Sequence, residues 1–239
     1  MKSLESEKNK SLIMNKFGSY IAITTSILAL GTFIIAVLTP PLSGPFCQGN
    51  CFEYPFLDIA SRWPRDYFWM FPAMVLTLLY VVFFVIIHFY AEERRKIFSL
   101  TAVIFASLSA LILVTDYFIQ VSVIQPSLIN GESDGISILT QYNPHGLFIA
   151  LEELGYLFMS ISFLFVAIAI PKTSKTGIAV RWVFITGFVL SLISLLVICL
   201  TLGIKREYIF EITIITIDWF VLIITGLLVA KVFQKNIQN

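Results

Sequence analysis

A chain of 239 residues that is 58% hydrophobic and only 13% charged cannot hide its apolar surface inside a water-soluble domain. Ordinary soluble chains are about 45–50% apolar and about 25% charged, so this composition expects lipid as its solvent. A formal net charge of +1 says nothing about nucleic acid, but no basic stripe is present to bind it, so no nucleic-acid partner is expected.

Residues 1–16 are polar and charged and read as a cytoplasmic tail. They do not read as a cleavable leader, because the first apolar run is long enough to span and no small-residue cleavage site follows it. A helical crossing needs roughly 20 mostly apolar residues. Six runs qualify, at about 17–38, 67–90, 98–121, 147–170, 182–202 and 208–230. Alternating barrel patterning is absent, so these runs are helices. The predicted fold is all-α: a polytopic integral membrane protein with a six-transmembrane-helix bundle over 17–230 and a short cytoplasmic tail over 231–239.

Lys and Arg set the expected orientation. With the N-terminus inside, the inner segments hold Lys2, Lys8, Lys10, Lys16, Arg94, Arg95, Lys96, Lys172, Lys175, Arg181, Lys231 and Lys235. The outer segments hold Arg62, Arg65, Lys205 and Arg206. That bias of about three to one places both termini in the cytoplasm of a cell-membrane protein.

In the first outer loop, Pro40-Pro41 is expected to stop the first helix. Cys47 and Cys51 then flank a Gly-Asn turn on the oxidising side, where a disulfide is the expected state. Two cysteines with His145, Glu53 or Asp58 make a weak zinc pattern, so no metal site and no cofactor is expected. Residues 91–96 form a charged turn that pairs the second and third helices. The loop over 122–143 carries many apolar side chains and is expected to rest on the bundle mouth. Asn143-Pro144 reads as the N-cap and first residue of the fourth helix. Gly187, Ser191 and Ser194 form a small-residue face on the fifth helix, suited to close packing within the chain or across a homo-oligomer.

The polar residues inside the spans need an explanation. A carboxylate at the centre of a membrane helix costs roughly 2.5–3.5 kcal/mol on insertion scales. The fourth helix carries two, Glu152 and Glu153. At helical spacing His145, Glu152 and Tyr156 fall on one stripe, with Met159 and Phe163, and Glu153 points about 100° away. The third helix adds Asp116 and Gln120, and the sixth adds Glu211 and Asp218. By depth all six are expected in the outer half of one bundle. Clustered carboxylates in a low-dielectric medium cannot all carry charge, which suits acid/base work, proton binding or cation coordination. Glu152, Glu153, Asp116 and Asp218 are the candidate catalytic residues. His145, Tyr156, Gln120 and Glu211 are the candidate ligand-binding residues. The bland alternative is that these groups only join helices. Three Asp-aromatic-Phe triplets, at Asp66, Asp116 and Asp218, look alike but do not make the inverted repeat of many transporters.

Glu152-Glu153 resembles the paired Glu of the intramembrane CAAX proteases. That family has an Arg where this chain has Leu157, and Phe84 and His88 imitate its second motif in the wrong order, so membership is not inferred. No Walker loop, His-Glu-x-x-His or Gly-x-Ser-x-Gly is present. The first functional expectation is a pocket, open outward, that binds or modifies a lipid or another small molecule. A proton- or cation-coupled transporter or channel subunit and a non-catalytic assembly partner are the alternatives. The sequence does not decide whether the protein is an enzyme.

Overall fold

The first helical segment long and apolar enough to span opens at Leu12, and from there to Val37 it runs 26 residues. At 1.5 Å per residue that is about 39 Å, more than the roughly 30 Å hydrocarbon thickness of a bilayer. Five more helices meet the same test of length and apolarity. The computed structural model describes residues 2–39 and 42–238, and among these there is no strand. The long helices are α1 (Lys2–Val37), α2 (Met70–Tyr90), α3 (Lys96–Ile119), α4 (Leu147–Ala169), α5 (Lys175–Leu202) and α6 (Ile209–Gln238). The helix of α1 therefore extends back through the residues expected as a polar tail. The stop expected at Pro40-Pro41 lies outside the described residues; before it, α1 closes on bonds from Leu38 N–H to Ile34 O and from Thr39 N–H to Ala36 O.

Each long helix packs on the next in sequence, and α6 closes the ring onto α1. α4 also touches α6 across the middle. Small residues set how close the helices come. A Cβ on Gly226 of α6 would lie 2.6 Å from the Ala22 carbonyl oxygen of α1, and Ser26 donates to the Ile223 carbonyl at 2.7 Å. Gly155 of α4 leaves room for the Leu113 side chain of α3 in the same way. The face of Gly187 and Ser191 on α5 is occupied inside the chain, by Val221 and by Asp218 of α6. α5 is nonetheless the least buried of the six helices.

The two ends of the bundle differ. At the end carrying both termini, short turns suffice. His88 bonds to Ser99 at 2.8 Å, Tyr90 donates to Asn15 at 2.8 Å, and Arg95 donates to the Ile170 carbonyl at 2.9 Å. The last of these satisfies a carbonyl at the C-terminus of α4. Above this end Phe84, Phe163 and Phe184 meet from α2, α4 and α5, with ring centroids 5.4–6.2 Å apart.

The opposite end carries the two long connections. Here the structure corrects two expected boundaries. The chain read as loop from residue 122 stays helical through a π-turn at Gln120–Ile124 and a further turn at Gln125–Ile129. Pro126 stands directly after the π-turn. The cap of α4 is Gly146, not Asn143. Asn143 instead makes a tight turn of its own, its Oδ1 accepting from His145 N–H at 2.9 Å and its carbonyl accepting from Gly146 N–H at 2.9 Å. A Cβ on Gly146 would meet two carbonyl oxygens at 3.0 Å, which explains glycine there.

Candidate functional site

The loop end is tied down by buried polar side chains. Asp66, 2% exposed, accepts from Arg62 through both oxygens, at 2.8 and 3.0 Å. Its Oδ2 also accepts from the Tyr142 hydroxyl at 2.8 Å. The Asp66 hydrogen bond holds the Arg62 guanidinium above its already high range. Burial first, and the neighbouring Tyr67 and Asp66 after it, push the Tyr142 phenol up, so it stays a donor. Ser43 bonds to the Tyr208 hydroxyl at 2.7 Å, and Tyr208 reaches the Gln141 carbonyl at 3.2 Å. Both connections and the approach to α6 thus form one cap. Gln120 belongs to this cap. Its amide donates to the Leu139 carbonyl at 2.6 Å and accepts from Gln141 N–H at 3.0 Å.

Below the cap sits a directional chain of hydrogen bonds. Tyr117 of α3 donates to Glu152 Oε1 at 2.6 Å. A hydroxyl has one proton to give, so the 3.0 Å contact between Tyr117 and Tyr156 runs from Tyr156 to Tyr117. Trp219 of α6 then donates its indole N–H to the Tyr156 oxygen at 3.1 Å. The donors converge on Glu152, which is 0% exposed. Glu211 of α6 is close enough to Glu152 to interact with it, and Glu152 Oε2 has no hydrogen-bond partner among the described residues. Two carboxyl groups can hold each other only with one proton between them, since a carboxylate has no donor. Asp116 is the third acid of the group, close enough to interact with both, and its Oδ2 has no hydrogen-bond partner among the described residues.

Glu211 also faces a cavity of about 280 Å³. Its roof is the cap, with Ser43, Asp66, Tyr142 and Tyr208. Its walls are aromatic and aliphatic, with Trp69, Phe148 and Trp219 on the inside. α1 and α6, tightly packed at Gly226, both line the cavity at this end. The lining residues Val37 of α1 and Ile212 of α6 are exposed, so the mouth lies between the ends of these two helices.

The other predicted residues go elsewhere. Glu153 is paired with Arg206, away from Glu152. Asp218 is fully buried but bonds to Ser160 at 2.8 Å and Ser191 at 3.5 Å, without reaching the cavity. His145 precedes α4, is exposed, and lines a second, open hollow with Glu153, Cys199 and Arg206. It therefore leaves the stripe of Glu152 and Tyr156. The sulfurs of Cys47 and Cys51 lie 2.02 Å apart, a disulfide distance. Among the described residues no three His, Cys, Asp or Glu side chains are grouped to hold a metal ion.

Sequence reasoning missed Tyr117, Trp219, Asp66 and Tyr208. The three similar triplets carried a signal for the first three. In each one the Asp and the next aromatic are buried, and the following Phe (Phe68, Phe118, Phe220) is exposed. No protein-family model, no curated protein and no solved structure matches the chain, so the reading of this site rests on its own geometry.

Proposed function

We propose that the chain is a multi-pass protein of the cell membrane, with both termini cytoplasmic, whose cavity binds a lipid or another amphipathic small molecule. The Lys and Arg distribution supports the orientation. A disulfide between Cys47 and Cys51 agrees with it, because the loop end then faces the oxidising side. Labelling of single cysteines placed at Asn130 and Thr173, in a Cys199→Ser background, tests it: the first reacts from outside and the second only after permeabilisation.

The observation that carries the binding reading is the cavity itself, with Glu211 at its polar end and a mouth between α1 and α6. Pockets of this kind, mostly apolar with a few convergent polar groups, are the usual form of small-molecule sites. If the site performs chemistry, Glu211 is the group that meets the ligand and Glu152 is the partner that exchanges a proton with it. Native mass spectrometry of the protein released from mild detergent tests the reading. The wild type retains a bound molecule, and Thr216→Trp, which fills the cavity, loses it. An empty wild type, or retention by the filled variant, overturns the proposal.

A proton-coupled role draws support from the hydrogen-bonded string beside Glu211. Against it stand the Phe84, Phe163 and Phe184 rings, which lie between that string and the end carrying the termini.

A further inference from the structure

The charge balance of the cavity says more than its shape. Among the described residues no Lys, Arg or His lines it. Asp66 in the roof is already matched by Arg62. The inner acids are not matched: among the described residues, no ion pair reaches Glu152, Glu211 or Asp116. A charge left on this group is buried and uncompensated, a costly arrangement that a cation from outside would relieve. The walls suit such a cation. Trp69, Trp219, Tyr142 and Tyr208 surround the approach to Glu211, and aromatic faces attract ammonium groups, most of all when water is excluded.

We propose that the cavity takes a cationic amphiphile, an alkylammonium head held by Glu211 and the aromatic walls with its apolar tail leaving between α1 and α6. This rests on the reading of the cavity as a ligand site. An anionic head has no partner here, since nothing basic lines the cavity. The ammonium group has two sources, a free amine amphiphile or the choline head of a lipid.

The test is a thermal-shift titration of the purified protein in maltoside micelles with four probes. They are dodecyltrimethylammonium, dodecanol, dodecyl sulfate and lysophosphatidylcholine. The expected result is binding of dodecyltrimethylammonium roughly tenfold tighter than dodecanol, the equivalent of about 1.4 kcal/mol, with dodecyl sulfate weakest. Lysophosphatidylcholine matching the ammonium probe assigns the source as a lipid head; its failure assigns a free amine. Glu211→Gln abolishes the preference for the ammonium probe and keeps dodecanol binding. Should that variant not fold, Trp69→Leu weakens the ammonium probe more than the alcohol. Equal binding of dodecanol and the ammonium probe overturns the cationic proposal and leaves the ligand cavity standing. Binding of no probe overturns both.

Discussion

Tyr117 gives its hydroxyl proton to Glu152 across 2.6 Å, and that one bond sets the direction of the whole chain from Trp219 through Tyr156. Replacing Tyr117 by Phe leaves a fully buried carboxyl oxygen without its donor. The expected loss is about 1–3 kcal/mol, the cost of an orphaned buried acceptor. Glu152→Gln is milder, because an amide still accepts from Tyr117 and can donate towards Glu211. Thermal melts of the two variants in detergent check the order; a Tyr117→Phe melt equal to wild type removes the chain from the account.

The cap depends on Asp66. It accepts three hydrogen bonds, two from Arg62 and one from Tyr142, while 2% exposed. Asp66→Ala strips both acceptor oxygens and so all three bonds, and hydrogen bonds to charged groups contribute about 1.5–3 kcal/mol each before the cap relaxes. Limited proteolysis reports the result: the connections over 42–69 and 120–146 become cleavable at protease levels that spare the wild type.

Tyr142 makes the same cap sensitive to alkali. Its folded pKa is pushed above the unfolded value of about 10. The stability it lends is therefore complete below about pH 10 and is lost as the pH rises beyond that, because the unfolded chain gives up the proton first. Melts between pH 8 and pH 11 should fall more steeply for the wild type than for Tyr142→Phe. Parallel curves would mean that other groups carry the alkaline limb.

Two glycines of α1 and α6 should answer oppositely to the same change. Gly226→Ala drives a Cβ to 2.6 Å from the Ala22 carbonyl oxygen, whereas a Cβ on Gly31 meets nothing within 4 Å. Overpacking costs roughly 1–3 kcal/mol, and alanine is about 1 kcal/mol better than glycine inside a helix. The melting temperature falls with the first substitution and holds or rises with the second.

The six helices were legible because apolar length alone marks them, and the stripe of Glu152 and Tyr156 followed from helical spacing. Of the acids that depth placed together, Glu152, Glu211 and Asp116 lie near one another and two do not. Glu153 turns to Arg206, and Asp218, two turns along α6 from Glu211, is satisfied by Ser160 and Ser191. Which acid meets which depends on α6 closing onto α1 and touching α4, and no local pattern encodes that. The bidentate pair of Arg62 and Asp66 stood at i, i+4 spacing in plain view. Residues 62–66 read as the loop before the second span, where helical spacing is not expected to hold.

The cavity between α1 and α6 is the centre of this account, and photo-crosslinking tests it most directly. Protein in nanodiscs that carry a diazirine-bearing lipid is irradiated, digested and mapped. Label should concentrate on Phe33, Val37, Ile212 and Ile215 and be removed from them by Thr216→Trp. Label spread as strongly over the exposed α5 residues Leu196 and Leu200, and unchanged in the filled variant, would contradict it.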